Sequence, residues 1–368
     1  MSKLLTALGL MSGTSLDGID VALIRSDGEA VVERGPAATY SYDGDQQALL
    51  RAALAEAREL ARRDARPGVL ARAEQALTAW HAAAVARFLS ENGLTPGEVD
   101  VIGFHGQTVI HRPERRLTVQ LGLGPELARL TGVPVVYDLR AADVAAGGQG
   151  APLVPVYHRA LATRLQERPA AFLNIGGVAN LTWIGADDSL IAFDTGPGNA
   201  LINDWCARHT GVSFDCDGQL ASRGNVDADA LGQLLNSKFF ATAAPKSLDR
   251  NSFNASIVDG LSVADGAATL TRFTAAAVAA SLALVPRKPA VIVACGGGRH
   301  NPVLMQSLRE LLQINVISAE KIGLDGDALE AEAWAYLALR SLAGLPISFP
   351  GTTGVPKAMS GGVLARPE

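Results

Sequence analysis

The sequence has little cysteine, no long apolar run and no excess of basic charge. Its three cysteines, Cys206, Cys216 and Cys295, show neither metal-ligand spacing nor an even disulfide framework. Reduced thiols in a cytoplasmic chain are the natural reading. No apolar stretch reaches the ~18 residues of a membrane-spanning helix, so none is expected. Lys3 and the apolar run Leu4 to Met11 resemble the start of a signal peptide. The run is short, carries Gly9 and leads into Asp17 and Asp20 instead of a small-residue cleavage site, which argues against secretion. Lys plus Arg is 32 against 37 Asp plus Glu, a net charge of -5. That balance argues against nucleic acid or an anionic membrane as the main partner. It still allows an anionic small ligand, because a pocket can use backbone N–H groups and a metal. What is present is apolar material: 48% of 368 residues, with 38 Gly and 18 Pro, enough for a packed core. The length suggests two domains.

Strand and helix patterns alternate along the chain, which implies an α/β class. LLTALGLM, a small-residue turn and IDVALIRS read as a hairpin. Residues 46–92 read as two amphipathic helices broken near Pro67-Gly68. VDVIGFHG (99–106) reads as a strand entering a loop that holds His105, and the Gly-rich segment 138–155 as an interdomain crossing or a binding loop. AAFLNIGG and VANLTWIG (170–185) then repeat the opening strand–turn–strand theme. A strand at 289–298 ends in three glycines, and residues 327–344 form a long helix ended by Gly344.

Four Gly-rich turns follow apolar strands: SGTSLDG (12–18), IGGVAN (175–180), DTGPGN (194–199) and CGGGRHN (295–301). Glycine lets backbone N–H groups approach an anion closely, although any one such turn is more often a simple corner. No G-x-x-x-x-G-K-[ST] occurs, and none of the turns fits G-x-G-x-x-G after the first strand. Nucleotide binding between two domains remains, with Asp17 and Asp194 as the carboxylates nearest the phosphates. A carboxylate there points to Mg²⁺ or to a general base; turn capping by the Asp side chain is the bland alternative.

MSGTSLDGID (11–20), FHGQTVIH (104–111), DLRAADVAAGGQGAPLVP (138–155), NIGGVANLT (174–182), FDTGPGNALIND (193–204) and ACGGGRHNP (294–302) together resemble the anhydro-N-acetylmuramic acid kinases. The likeness runs from Met11 to about residue 360, with the motifs in the same order. One departure is Pro350-Gly351-Thr352-Thr353-Gly354-Val355, where the family tends towards Pro-x-Val-Thr-Gly-Ala.

The resemblance implies an actin-like, hexokinase-like ATPase fold with two related lobes around a central cleft. The expected amino-terminal lobe is 1–140, joined by 345–368, and the carboxy-terminal lobe is 141–344. It implies ATP and Mg²⁺ as cofactors and 1,6-anhydro-N-acetylmuramic acid as substrate. The products would be N-acetylmuramic acid 6-phosphate and ADP, in peptidoglycan recycling. Asp194 matches the family's catalytic aspartate. Gly13, Thr14, Ser15, Leu16, Asp17, Gly18, Ile19 and Asp20 match its ATP-phosphate loop, with Asp17 a candidate to hold the metal through water. Gly176, Gly177 and Asn180 belong to the second phosphate hairpin, and Gly296, Gly297 and Gly298 match nucleotide-binding glycines. His105, Asp138, Arg140 and Glu330 are candidate sugar contacts; a structural histidine, an interdomain ion pair and a first-turn acid are their bland readings. Lys246 suits either a cleft or the surface, and Trp80 with its helical stripe suits packing or a homodimer face. A kinase of another sugar and a low-turnover ATP-binding regulator are the competing functions; the intact Asp194 argues against the regulator.

Overall fold

The apolar alternation of the first forty residues builds a three-stranded antiparallel meander, β1 (Leu5–Ser12), β2 (Gly18–Ser26) and β3 (Val32–Ser41). The coordinates come from a computed structural model, which describes residues 3–13, 15–248 and 252–367. Helices α1 (Gly44–Glu56) and α2 (Leu70–Glu91) follow, parted at Pro67-Gly68. Then come β4 (Val101–Arg112), β5 (Leu117–Leu121), α3 (Gly124–Thr131), β6 (Val135–Tyr137), α4 (Ala141–Ala145) and α5 (Pro155–Ala162). A second meander follows, β7 (Ala170–Ile175), β8 (Val178–Ile184) and β9 (Leu190–Pro197). After it lie α6 (Ala200–Thr210), α7 (Ala228–Leu235), α8 (Lys238–Ala241), α9 (Val263–Ser281), β10 (Val291–Cys295), α10 (Pro302–Leu312) and β11 (Asn315–Ser318). The chain closes with α11 (Leu329–Leu342), α12 (Pro350–Thr353) and β12 (Val363–Ala365).

Two compact units result, residues 1–163 with 328–368, and residues 164–327. The first holds a sheet in the order β12-β6-β4-β1-β2-β3, with β5 paired to β4; the second holds β11-β10-β7-β8-β9. In the first, β1, β4 and β6 are parallel and β2 is antiparallel to its neighbours. In the second, β7, β10 and β11 are parallel and β8 is antiparallel. The same core, a meander leading into parallel strands, is therefore built twice, as in the actin-like, hexokinase-like ATPase fold. The units part at 163/164 and 327/328, whereas the sequence reading placed the joints at 140 and 344. Residues 141–163 and helix α11 lie in the first unit, because α11 packs on β1, β2 and β4.

Helix α11 sits against the first sheet at backbone distance. A Cβ on Gly9 would lie 1.7 Å from the Ala331 carbonyl oxygen, and one on Gly103 would lie 2.0 Å from that of Trp334. Only glycine at these paired positions of β1 and β4 admits the helix. The helix is buried almost throughout and carries Glu332 inward, where Arg34 donates to Oε1 (2.6 Å) and Tyr157 to Oε2 (2.7 Å). The opposite side of the sheet is covered by Leu77, Val85 and Phe88 of α2. In the second unit, α9 and α10 pack on β7, β9 and β10 through Val278, Leu304 and Leu308. The segment Val263–Leu284 is long and apolar enough to cross a membrane, although no such helix was expected; 67% of its most apolar 18-residue stretch is buried inside the fold.

Candidate active site

In the first unit the β1–β2 turn is tight. The Leu16 amide returns to the Gly13 carbonyl (3.2 Å), and Leu16 itself adopts a φ of 57°. Ser15 Oγ donates to Asp17 Oδ1 (2.8 Å), and both side chains are exposed. Ser12, at the base of the turn, is fully buried and donates to Gln107 Oε1 (2.7 Å). Gly13, Ser15, Leu16 and Asp17 thus form the turn, and Thr14 lies outside the described residues. Gly18, Ile19 and Asp20 belong to the ladder, paired with Ser41, Tyr40 and Thr39 of β3. A Cβ on Gly18 would meet the Tyr40 carbonyl oxygen at 2.5 Å, so this glycine serves strand packing.

His105 does not lie in a loop: β4 continues through it to Arg112. The strand pairs with β1 from Val101 to Phe104 and again at Gln107 across a register shift, bends at Gly106 (φ 69°) within that shift, and from Gln107 on also pairs with β5. The bend leaves the His105 ring buried against Trp334, with centroids 4.5 Å apart. Arg140, just before α4, stacks on the same indole at 4.9 Å. Its Nε and Nη2 face His105 Nε2 at 3.3 and 3.1 Å, and Nη1 donates to the Gly150 carbonyl (2.8 Å). Burial lowers the Arg140 guanidinium to about 10, against the opposing pull of Glu330 and Asp143. Glu330, in the first turn of α11, therefore bears on the same group as Arg140 and His105.

Asp138 is oriented differently. Its left-handed backbone (φ 55°) delivers both carboxylate oxygens to Arg63 Nη2, each at 2.6 Å. The expected ion pair exists, but within the first unit and with a partner from the α1–α2 connection. Arg63, Asp138 and His105 line a small cavity of about 90 Å³.

Asp143, for which the sequence predicts no role, and His111 shape the Gly-rich segment. Asp143, 2% exposed, accepts from the Gly150 amide and from Thr353 Oγ1. His111 Nε2 meets the Gln149 carbonyl (2.8 Å) and the Gln149 amide donates to the Thr353 carbonyl (2.6 Å). Thr353 falls in the C-terminal turn where this chain departs from the family pattern. An acid three residues after Arg140 in a glycine-rich segment was the available signal for Asp143.

In the second unit Asp194 lies on β9 opposite Asn180, where a bulge shifts the register between Ala179 and Asn180. The Leu248 amide donates to Asp194 Oδ2 (2.7 Å), its only side-chain hydrogen-bond donor among the described residues. Burial raises the carboxyl to about 6; the Leu248 amide and the charge of Lys246 oppose that rise. Lys246 is 8% exposed, donates to the Phe239 carbonyl (2.8 Å) and lies over that ring. It is a buried neighbour of Asp194 and not a surface group.

Gly176 and Gly177 form the β7–β8 turn. Their carbonyls accept from the amides of Gly198, Asn199 and Ala200, so the amides of the GPGN turn brace this hairpin. Gly296 (φ 72°) and Gly298 are packed closely: a Cβ on either would meet Asn174 or Ile175 at 2.3 Å. Gly297 has no such neighbour and faces a pocket of about 340 Å³ lined by Asn199, Asn203, Phe214, Asp217 and His300. Phe214 is 56% exposed at its rim. Asn199 and Asn203 were legible only as part of the motif that holds Asp194. Trp80, for its part, packs beside Tyr42 at the edge of the first core.

A core built twice, with glycine turns at its strand ends, has the plan of the actin-like, hexokinase-like ATPase fold. A model of the family described as anhydro-N-acetylmuramic acid kinase matches residues 5–367. The chain is 56% identical to an anhydro-N-acetylmuramic acid kinase of Rhodopseudomonas palustris over 99% of its own length and 100% of that protein's. It is 50% identical to another, of Agrobacterium fabrum, with both chains covered completely. Among solved structures it is similar to the (R)-2-hydroxyglutaryl-CoA dehydratase component A of Acidaminococcus fermentans (13% identity, TM-score 0.48, 91% of this chain and 99% of that one). It is also similar to a ROK family glucokinase of Streptomyces griseus in complex with glucose and AMPPNP (13%, 0.43, the same coverage). The chain belongs to the anhydro-N-acetylmuramic acid kinase family and is an ATP-dependent sugar kinase.

Proposed function

We propose that the chain opens the 1,6-anhydro bridge of 1,6-anhydro-N-acetylmuramic acid with water while it phosphorylates O6 from ATP, and that Asp194 is the base. In this substrate O6 is tied to the anomeric carbon, so no hydroxyl is free to take a phosphoryl group. Asp194 takes a proton from water as the water oxygen bonds to the anomeric carbon. The bond between that carbon and O6 breaks, O6 attacks the γ-phosphorus, and ADP departs. The base role parallels that of an inverting glycosidase, with phosphoryl transfer in place of protonation of the leaving oxygen. The observation that carries this reading is the state of Asp194: a largely buried carboxylate with one amide donor, raised to about 6. A base with such a pKa holds little proton at neutral pH yet keeps affinity for one.

In this reading Arg140 takes the lactyl carboxylate and Glu330 a sugar hydroxyl. The pocket beside Gly297 receives the nucleoside. The Gly13–Asp17 turn meets the phosphates. No group of three or more His, Cys, Asp or Glu that could hold a metal occurs among the described residues. Mg²⁺ needs no such cage, because it is commonly held by one or two carboxylates with phosphate oxygens and water. Exposed Asp17 fits that role, and the ion would offset phosphate charge. Turnover in oxygen-18 water tests the proposal: the label enters the anomeric hydroxyl of the product and not the phosphate. Label in inorganic phosphate would mean that ATP is simply hydrolysed.

A further inference from the structure

We infer that His105 is a positioning residue: its imidazole Nε2 orients the Arg140 guanidinium so that the remaining N–H donors grip the substrate's carboxylate. This rests on the reading of Arg140 given above, which leaves His105 without a contact to the sugar.

The geometry carries the argument. An arginine side chain has only donors, so the Nε2 that Nε and Nη2 approach at 3.3 and 3.1 Å must be an acceptor. That places the ring proton on Nδ1 and makes the imidazole neutral. Nη1 is tied to the Gly150 carbonyl, and Trp334 supports both groups from below, at 4.5 Å for the imidazole and 4.9 Å for the guanidinium. The indole is itself fixed, since its Nε1 approaches Met11 Sδ at 3.1 Å. One edge of the guanidinium is thus spent on histidine and one N–H on a backbone carbonyl. The other N–H groups of Nη1 and Nη2 remain for a ligand, and planar pairs of N–H donors suit a carboxylate. Arg140 is partly exposed, whereas His105 is 6% exposed behind it.

The groups facing His105 agree with this state. Burial, the Arg140 charge and His81 of α2 hold the imidazole well below its usual range, against the backbone at Ser12 and Gly106. A neutral ring desolvated in this way neither repels the guanidinium nor titrates near neutrality. A histidine serving as proton donor or as direct sugar contact would not be turned toward an arginine.

The test compares two sugars and four variants of the full chain. One sugar is 1,6-anhydro-N-acetylmuramic acid; the other is 1,6-anhydro-N-acetylglucosamine, which lacks the lactyl carboxylate. His105→Phe keeps a ring and removes the acceptor, whereas His105→Gln restores an acceptor. We expect His105→Phe to raise KM for the muramic sugar about tenfold, the scale of one positioning hydrogen bond. Its kcat and its affinity for the glucosamine sugar stay near wild type, and His105→Gln recovers most of the loss. Arg140→Ala abolishes the preference for the carboxylate, and adding His105→Phe to it has no further effect. Loss by His105→Phe on both sugars alike, or no rescue by His105→Gln, overturns the inference and leaves the Arg140 reading intact. An unchanged preference in Arg140→Ala overturns both. Nitrogen-15 NMR of the wild-type histidines supplies a check independent of any variant: a proton on His105 Nε2 would also overturn it.

Discussion

The two sheets share a strand order and differ at their centres. In the first unit the parallel strands β1 and β4 set Gly9 beside Gly103; in the second, β7 and β10 set Ala171 beside Ile292 and Phe172 beside Val293. Two facing glycines let the backbone of α11 rest on the first sheet. At the corresponding crossing of the second sheet, apolar side chains of β7 and β10 pack against those of the helices. The close approach lets α11 bring Glu330 and Trp334 beside Arg140 and His105. In the proposed reading the first unit therefore contributes side chains: an indole, a guanidinium, an imidazole and a carboxylate. The second contributes Asp194 on a bulged strand, backbone turns and the pocket beside Gly297. One scaffold thus occurs twice, and in the proposed reading the residues at the strand crossing decide which kind of recognition each unit supports.

Removing the Asp194 carboxylate of the second unit should have the largest effect. Asp194→Asn keeps shape and loses proton affinity, and loss of a general base typically costs ~10²–10⁴-fold in rate. Steady-state kinetics should show that loss in kcat, with nucleotide affinity measured by calorimetry almost unchanged. Near-normal turnover would transfer the role to Asp17 or Glu330.

The pH profile follows from the same group. Wild-type kcat should fall as pH drops through about 6, because protonated Asp194 cannot accept a proton. Stability moves the other way. The folded-state value of about 6 lies above the ordinary 3.8, so burial favours the protonated form. Its contribution is complete below 3.8 and is lost as pH rises through about 6. Denaturant midpoints from pH 4 to 7 should carry this decline in wild type and lack it in Asp194→Asn. A kcat flat across that range would mean that Asp194 is not the titrating base.

Gly103→Ala tests the first unit. Its Cβ would fall 2.0 Å from a backbone carbonyl of α11, which no rotamer change relieves. The helix must move, at a cost of about 1–3 kcal/mol. Because Trp334 supports His105 and Arg140, KM for the sugar should rise along with the loss of stability. Urea unfolding and initial rates on the same preparation check both; a stable variant with normal KM would show that α11 tolerates displacement.

Most of this architecture was legible in the sequence, because the apolar periods are strong and the turns are marked by glycine. Strand β3 was not read, since Gly35-Pro36 interrupts its pattern. The structure explains why the pair is tolerated: β3 is the sheet's edge, where a missing N–H breaks no inner ladder. FHG read as a strand end because Gly106 resembles a turn, yet it is a bend within β4 that turns His105 toward Arg140. The joint at 344 was misplaced because a long apolar helix gives no sign of which sheet it covers; the paired glycines of β1 and β4 were the sign. Asp194 could be found from its motif. Its Leu248 donor lies 54 positions away along the chain, and Asp138 and Arg63 are likewise far apart, so local pattern could not pair them.

The smallest expected effect belongs to Ile292→Val. Ile292 is fully buried in β10, beside Ala171 of β7 and Val316 of β11, in the core that includes Leu304 and Leu308. Deleting one methyl group from such a site removes its transfer energy and leaves a small void, a loss of about 0.5–1.5 kcal/mol. At this position α10 rests on side chains, and a neighbouring chain can relax into the space without moving a helix axis. The stability loss should therefore stay separate from function, with KM for the sugar and the pH profile of kcat unchanged. Thermal unfolding and initial rates at pH 6 and 7.5 would check this. An increase in KM like that expected for Gly103→Ala would mean that both sheets transmit packing changes to sugar recognition, and the contrast between the glycine-centred and side-chain-centred copies would lose its functional meaning.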